Sequence, residues 1–365
     1  MQITAAVVRE RSAPFVLDTL ELCDPRPDEV VVRVVASGMC QTDLHGRDGY
    51  FASPYPAVYG HEGAGVVHAV GSAVRSLAAG DHVVISFPWC GTCANCQAHR
   101  YCYCVQGRRL KMHGTRDDGS TLLSKNGTPV YSAFFQQSSF GTYALTQERY
   151  AVKVRKDAPL EALGPLACSG QTGAGAVFNA MRPKPGDSLA IFGVGAVGLS
   201  ALMAAKIAGC NPIIAIDVHE HRLALASELG ATHTINHGGR DKVVDEVRAA
   251  AGGVRYSLDT SALANVLREA IEALMPGGVC VLLGSAPPGT DVAIEMPFLQ
   301  QGRTLRGVVQ GESVPKDFIP QLVDLIVAGK FPIQKMIKFY DFADINLAAQ
   351  ESSSGITIKP VLRIG

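Results

Sequence analysis

Four closely spaced cysteines constrain the fold of this chain more than any other feature. They are Cys90, Cys93, Cys96 and Cys104, in the spacing C-x2-C-x2-C-x7-C. Four thiolates bind one zinc ion tetrahedrally with Zn–S bonds of about 2.3 Å, and short spacers of this kind suit that geometry. The backbone between the cysteines must then form a compact lobe. The spacing predicts a structural zinc site.

Disulfide pairing and chance are the alternatives to a zinc site. A single C-x2-C is common, whereas three interlocking intervals are not, so the spacing favours the metal. Cys102 is an alternative fourth ligand, because it lies two residues before Cys104. A C-x-C pair leaves less backbone to turn its second thiolate toward the same ion.

Length and charge indicate the class of protein. The chain has 365 residues, enough for two domains that each bury a core. Lys plus Arg and Asp plus Glu both number 33, and no basic block indicates nucleic-acid binding. No stretch resembles a signal peptide or a membrane span. We expect a cytoplasmic protein with a small-molecule substrate, no membrane partner, and its ten cysteines mostly reduced.

The pattern of apolar residues changes near Cys168. Before it, short β-type runs such as 30–35 and 83–87 are separated by turns, and 114–131 is predicted to be a hairpin or loop. After it, apolar runs at 188–192, 213–216, 279–283 and 305–309 alternate with helical patterns at 196–208 and 223–229. A further helix is expected over 315–330, followed by a β-type tail. The fold class predicted is α/β: a doubly wound parallel-sheet dinucleotide domain plus a β-rich domain.

A glycine-rich turn lies between a predicted strand and a predicted helix. Gly193, Gly195 and Gly198 form G-x-G-x-x-G in this position. The first glycine permits the tight turn, the second lets the backbone approach a pyrophosphate, and the third lets helix and strand pack closely. The helix amides then face the phosphates. The motif predicts a dinucleotide cofactor.

Asp217 is expected to choose between the two nicotinamide cofactors. It ends a predicted strand 19 positions after Gly198, where a carboxylate accepts hydrogen bonds from the ribose hydroxyls. A 2′-phosphate would oppose this carboxylate at a cost of several kcal/mol in order of magnitude, so NAD is predicted over NADP. A helix N-cap role is compatible with this one. Arg222 could neutralise a phosphate, but we expect it only to lie near the ribose.

A second set of metal ligands is possible in the β-rich part. Cys40, His61 and Cys168 offer two thiolates and one imidazole, which would leave one position on zinc open to substrate. Taken singly, these residues prove nothing, because a buried Cys is usually a small apolar residue.

The neighbours of these ligands carry a family resemblance. The segments Gly60-His-Glu-Gly-Ala-Gly65 and Cys40-Gln-Thr-Asp-Leu-His45, with the four cysteines and the glycine motif, resemble the zinc-dependent medium-chain alcohol dehydrogenases over nearly the whole chain. The resemblance implies a GroES-like catalytic domain at 1–168 and 310–365 and a Rossmann NAD-binding domain at 169–309. A homodimer or homotetramer is usual in the family.

The resemblance also implies a role for each site residue. Cys40, His61 and Cys168 match the ligands of the catalytic zinc, Glu62 the acid behind the metal, and Asp43 the carboxylate that orients the histidine. Thr42 matches the hydroxyl beside the reacting alcohol. His45 matches the outer end of a proton relay, with a surface histidine as the alternative. The predicted cofactor-binding residues are Gly193, Gly195, Val197, Gly198, Asp217, Arg222, Thr172 and Lys359.

Finer features resemble the benzyl and aryl-alcohol dehydrogenases most, with glutathione-dependent formaldehyde dehydrogenases next. They are residues 137–140, the long segment after Cys104 and the tail 356–361. Gln41 stands where many relatives carry Arg or His toward the cofactor pyrophosphate, and Lys359 is expected to supply that charge. Trp89 is expected either to line the substrate channel or to pack on the zinc lobe.

The predicted function is reversible oxidation of a primary aromatic or allylic alcohol to its aldehyde, with hydride transfer to NAD. A general primary alcohol dehydrogenase is one alternative. The others are a zinc-free quinone or enone reductase, disfavoured by Cys40, His61, Cys168 and Asp217, and a non-catalytic protein with the same fold.

Overall fold

The computed structural model describes residues 1–51, 54–239 and 242–365. These residues form two compact units. The first contains residues 1–168, 314–329 and 336–365, and the second contains 169–313 and 330–335. No helix in the described part of the chain is long and apolar enough to cross a membrane.

The strands, in chain order, are β1 (Gln2–Val8), β2 (Val16–Leu22), β3 (Glu29–Gly38), β4 (Ala57–Val58), β5 (Glu62–Val70), β6 (His82–Ile85), β7 (Leu123–Lys125), β8 (Thr128–Val130), β9 (Tyr143–Gln147), β10 (Ala151–Val154), β11 (Leu189–Phe192), β12 (Ile213–Asp217), β13 (His233–Asn236), β14 (Val254–Asp259), β15 (Leu274–Leu282), β16 (Thr304–Gly307), β17 (Ile337–Asp341) and β18 (Lys359–Arg363). The α-helices are α1 (Gln41–Arg47), α2 (Ala94–Gln97), α3 (Gly107–Met112), α4 (Ser169–Gly175), α5 (Ala196–Ile207), α6 (Glu220–Leu229), α7 (Val243–Ala251), α8 (Ala264–Glu272), α9 (Met296–Gln300), α10 (Pro315–Val327) and α11 (Ile345–Ser353).

The first unit is built on two sheets. One has the order β4-β1-β2-β7-β8, and the other has β10-β6-β5-β3-β18-β17, with β9 also paired to β3. At the end of β3, Gly38 lies opposite Glu62 of β5 on one side and Val361 of β18 on the other. Residues from the start, the first quarter and the tail of the chain therefore meet at one place in this sheet.

The second unit is built on one parallel sheet with the order β13-β12-β11-β14-β15-β16. The chain reverses its direction of travel across this sheet at β11, which pairs with β12 on one side and β14 on the other. Ligands of such sheets bind outside the carboxyl ends of the strands at this point. The doubly wound α/β fold predicted from the sequence is confirmed.

Most predicted elements are present, and their ends differ by a few residues. The segment 114–131 contains the hairpin of β7 and β8, with Leu123 opposite Val130. Helix α10 begins at Pro315 as expected, where the missing proline N–H breaks no helical hydrogen bond. The sequence did not predict β14, because Arg255 and Ser257 interrupt its apolar run.

Candidate active site

The four-cysteine lobe has the geometry of a metal site. The sulfur atoms of Cys90, Cys93, Cys96 and Cys104 all lie within 4.8 Å of one another. Cys93 is the N-cap residue of α2, and Cys96 lies within that helix. The Cys90 amide donates to Cys104 Sγ over 3.2 Å, so a backbone N–H stabilises one of the sulfurs. Cys102 is not part of this group among the described residues.

A second group of possible ligands forms where β3, β5 and α4 begin or end. One ligand atom from each of Cys40, His61, Glu62 and Cys168 lies within 4.8 Å of the others. Cys40 precedes α1, His61 precedes β5, and Cys168 precedes α4. The structure therefore brings together the three predicted zinc ligands and the acid beside them.

The carboxylate of Asp43 orients His61. Asp43 is fully buried, and its Oδ1 lies 2.8 Å from His61 Nδ1. The amides of Cys40 and Gly60 also donate to this carboxylate, over 2.9 and 3.0 Å. With Nδ1 directed to Asp43, the other ring nitrogen, Nε2, is buried and has no hydrogen-bond partner among the described residues. A buried nitrogen of this kind beside two thiols fits a metal ligand.

The two cysteines of the cluster shift each other's pKa in opposite directions. Hydrogen bonding with Cys168 holds the pKa of Cys40 well below its ordinary value. The same contact, with burial, raises the pKa of Cys168 well above its ordinary value. Ionisation of one thiol thus opposes ionisation of the other, and a cation between them would stabilise both thiolates. Burial, the largest single effect, lowers the pKa of His61, but the charges and hydrogen bonds of Asp43 and Cys40 together raise it to about 10. A metal at Nε2 would therefore displace a proton.

Glu62 forms an ion pair with Lys359. The ammonium of Lys359 lies 2.9 and 2.8 Å from the two carboxylate oxygens and donates to Met39 O over 3.0 Å. Lys359 is 2% exposed and Glu62 is 0% exposed. The sequence led us to expect Lys359 at the cofactor phosphate, whereas the structure places its ammonium against Glu62 and Met39. An ammonium has three donors, and these three contacts use them within the first unit.

Helix α1 carries the two predicted relay residues one turn apart. Thr42 Oγ1 lies 3.7 Å from Cys40 Sγ, which places this hydroxyl beside the ligand cluster. The His45 ring is half-buried and stacks on Tyr50, with 4.5 Å between ring centroids. Gln41, at the start of the helix, is exposed.

The sequence did not predict the two aromatic rings next to His61, Phe134 and Phe135, which we call the aromatic wall. The Phe135 ring stacks on the His61 ring at 4.4 Å, and Phe134 meets it edge-on at 5.8 Å. Phe135, Gln136 and Ser138 have φ values of 50°, 56° and 45°, a left-handed conformation that costs about 1 kcal/mol or more for such residues. No local pattern in the sequence signals this turn.

Trp89 packs on the zinc lobe, the second of its two expected roles. Its ring stacks on Tyr101 at 4.5 Å, and its carbonyl accepts a hydrogen bond from the Tyr150 hydroxyl over 2.8 Å. Trp89 is 6% exposed. The Phe87 ring meets the Trp89 ring edge-on at 5.9 Å.

The glycine turn in the second unit fits a dinucleotide. Gly193 has a φ of 89°, and a Cβ on Gly198 would lie 2.0 Å from Gly193 O, so larger residues are excluded at both places. A Cβ on Gly195 would meet only Arg222 Nη1, at 3.8 Å. Space is therefore open above Gly195, at the start of α5, where a pyrophosphate binds. Val197 lies in the first turn of the same helix.

Asp217 supports this turn. Its Oδ2 accepts a hydrogen bond from the Val194 amide over 2.8 Å, and its Oδ1 accepts from Val218 and His219. Arg222 Nη1 lies 3.7 Å from Oδ2. The carboxylate is thus fixed at the end of β12, at the position expected for a ribose contact. Thr172, also predicted at the cofactor, donates from Oγ1 to Gln310 Oε1 over 3.3 Å.

Comparisons with known proteins agree with this geometry. Residues 26–156 match the alcohol dehydrogenase GroES-like domain, and residues 196–328 match the zinc-binding dehydrogenase family. The chain is 45% identical over 361 residues to geraniol dehydrogenase of Castellaniella defragrans, covering 98% of this chain and 96% of that protein.

Two solved structures share the whole fold. An alcohol dehydrogenase zinc-binding domain protein from Burkholderia ambifaria is 51% identical, with a TM-score of 0.98 and coverage of 100% of this chain and 99% of the other. Benzyl alcohol dehydrogenase from Acinetobacter calcoaceticus is 44% identical, with a TM-score of 0.96 and full coverage of both chains. The chain therefore belongs to the zinc-dependent medium-chain alcohol dehydrogenases, which use zinc and a nicotinamide dinucleotide.

Proposed function

We propose that this enzyme oxidises primary allylic or aromatic alcohols to aldehydes, reversibly, with NAD as the hydride acceptor. The observation that carries the proposal is the group of Cys40, His61 and Cys168 with an aromatic ring, Phe135, stacked on the histidine. A flat apolar substrate suits such a wall. Geraniol is an allylic primary alcohol and benzyl alcohol an aromatic one, and relatives named for both are at least 44% identical to this chain.

The residues of the site have different roles in the reaction. A zinc ion held by Cys40, His61 and Cys168 would supply a Lewis acid that lowers the pKa of the alcohol hydroxyl or polarises the carbonyl. Thr42 lies beside this group and accepts the proton of the alcohol. His45, one helical turn away, passes that proton toward solvent. Phe135 covers one side of His61 and keeps water from it.

The second unit holds the hydride acceptor. The turn at Gly193, Gly195 and Gly198 binds the pyrophosphate through amides at the start of α5, and Asp217 accepts the ribose hydroxyls. Transfer of hydride needs orientation of the two reactants rather than a charged catalyst. We expect NAD to be preferred over NADP because of Asp217, whose fixed carboxylate would repel a 2′-phosphate.

We propose the aryl-alcohol subtype, a homodimer or homotetramer, a cytoplasmic location, and domain limits of 1–168 with 310–365 and of 169–309. Light scattering of the purified protein gives its molar mass in solution and therefore tests the oligomeric state.

Steady-state kinetics test the substrate class. With NAD, benzyl alcohol, cinnamyl alcohol and geraniol should have kcat/KM values well above that of ethanol. Each buried methylene-sized piece is worth about 0.8 kcal/mol, so a ring gains several kcal/mol if its binding is realised in the transition state. Equal values for ethanol and benzyl alcohol would refute the aromatic and allylic assignment. A strict need for glutathione with formaldehyde would favour a formaldehyde dehydrogenase instead.

A further inference from the structure

A lysine lies among the aromatic rings beside the zinc ligands. Lys111 is on α3, and its Nζ lies 5.7 Å from the ring centroids of both Phe87 and Phe135. Phe135 in turn stacks on the His61 ring at 4.4 Å. The ammonium and the His61 ring therefore contact the same phenylalanine ring, which places Lys111 within the length of a ring-substituted benzyl alcohol from His61.

Among the described residues this ammonium has no carboxylate or hydrogen-bonding partner, although the sulfur atoms of Cys168, Cys102 and Cys104 interact with its charge. Ring faces attract a cation by about 0.5–2 kcal/mol, but they leave its three N–H donors without a conventional acceptor. Lys111 is half-buried, so a substrate that binds beside it would displace water from the ammonium.

The backbone on both sides of Lys111 is fixed. Helix α3 begins three residues after Cys104, the last cysteine of the zinc lobe. Gln136 Nε2 donates to Leu110 O and to Thr115 O, over 3.1 Å in both cases. The left-handed turn that presents Phe135 to His61 therefore also holds the end of α3. Lys111 is positioned by both the zinc lobe and the aromatic wall.

We propose that Lys111 determines specificity by donating a hydrogen bond to a second oxygen of the substrate, remote from the alcohol carbon. The preferred substrates are then aromatic or allylic primary alcohols that carry an acceptor oxygen, such as an alkoxy, hydroxyl or carboxylate group, at the far end. A hydrocarbon in the same place would remove water from the ammonium and offer no acceptor, which is costly. This inference rests on the proposed function.

A pair of substrates of equal size tests the role of Lys111. For the wild type, kcat/KM should be higher with 4-methoxybenzyl alcohol than with 4-ethylbenzyl alcohol. Lys111→Met removes the donors but keeps an unbranched chain against the rings, and should lower the ratio of the two kcat/KM values about tenfold, the scale of a hydrogen bond to a charged group. Arg108→Met is the matched control, because Arg108 is exposed on the same helix, and it should leave the ratio unchanged.

A binding measurement separates recognition from turnover. The corresponding benzamides resemble the aldehydes and are not reduced, so calorimetric titration in the presence of NADH gives their Kd values. Lys111→Met should weaken 4-methoxybenzamide about tenfold relative to 4-ethylbenzamide. An unchanged ratio in a zinc-replete variant would overturn the inference while the proposed function stands. If the wild type oxidises none of these alcohols although it binds zinc and NAD, the proposed function fails instead.

Discussion

The carboxylate of Glu62 and the ammonium of Lys359 form a fully buried ion pair across 297 positions of sequence. A Cβ on Gly38 would lie 2.1 Å from Glu62 Oε2, so the carboxylate is closely enclosed as well as paired. Burial raises the pKa of Glu62, and Lys359 opposes that effect. Burial lowers the pKa of Lys359, but Glu62 and the neighbouring Cys40 together raise it overall. Each of the two charged groups is stabilised in the buried site by the opposite charge of the other.

Removing one partner of this pair should therefore cost more than removing both. Lys359→Met should lower the free energy of unfolding of the zinc-loaded protein by about 3–5 kcal/mol, because it leaves a buried carboxylate unpaired. Adding Glu62→Gln should restore part of that loss. Urea unfolding of the two single variants and the double variant measures the effect. Strictly additive losses would show that the pair does not act as a unit.

The two cysteine clusters should have separable roles. Wild-type protein should contain two zinc ions per chain by elemental analysis. Cys93→Ser should lower the Tm and the solubility, because a structural site contributes directly to folding. Cys40→Ser should abolish turnover with little change in Tm. Active protein that contains no zinc would refute both assignments.

Replacement of Asp217 should change cofactor preference. Asp217→Gly removes the repulsion of a 2′-phosphate together with the ribose hydrogen bonds, so kcat/KM should fall with NAD and rise with NADP. The variant should also melt at a lower temperature, since the Val194 amide loses its acceptor. Asp217→Asn is the control that keeps an acceptor oxygen. A wild type with the higher kcat/KM for NADP would show that this carboxylate does not set the preference.

His45 should matter for proton release rather than for folding. His45→Ala should lower kcat by about a hundredfold near neutral pH, within the usual range for a proton-transfer group. Small imidazole buffers should restore part of the rate, because they replace the missing base. Tyr50→Phe keeps the ring that stacks on His45 and should behave like wild type. A His45→Ala variant with unchanged kcat in weak buffer would make this a surface histidine only.

Glu351 should make stability pH-dependent. It accepts hydrogen bonds from Lys338, Tyr340 and Thr357, and the Lys338 contact, the largest cause, lowers its pKa to about 2. Its stabilising effect is present above the unfolded-state pKa of about 4.3 and is lost as pH falls toward 2. Urea midpoints of wild type and Glu351→Gln should therefore differ at pH 7 and converge below pH 4. A constant difference across this range would exclude the ionised carboxylate as its source.

Local patterns in the sequence predicted the parallel sheet and pointed to the residues that the structure gathers in two clusters. The spacing of Cys90, Cys93 and Cys96 limits the backbone directly, and the turn at Gly193 needs a residue without a side chain. These constraints act within a few residues, so they are visible in the sequence. The order of the strands around β11 follows from general rules of chain connection.

The features that were missed depend on distant parts of the chain. Lys359 faces Glu62 only because β18 and β5 both pair with the end of β3. Phe135 reaches His61 only because left-handed residues, rare for these side chains, reverse the chain there. The residues next to Lys111 in the sequence do not indicate that its side chain contacts aromatic rings. Register and strain of this kind follow from tertiary packing, not from local pattern.

The position of β18 also has a consequence for biosynthesis. Lys359 neutralises the carboxylate of Glu62, which lies with Cys40, His61 and Cys168 in a cluster that is otherwise translated before position 169. Residues 1–168 are therefore synthesised well before Lys359, which follows the whole intervening unit. Glu62 has no Lys359 counter-charge during that time. At a synthesis rate of about 5–20 residues per second, the delay is on the order of 10–40 seconds. Chaperone dependence during expression should accordingly be set by the first unit, not by the parallel-sheet unit that is completed first.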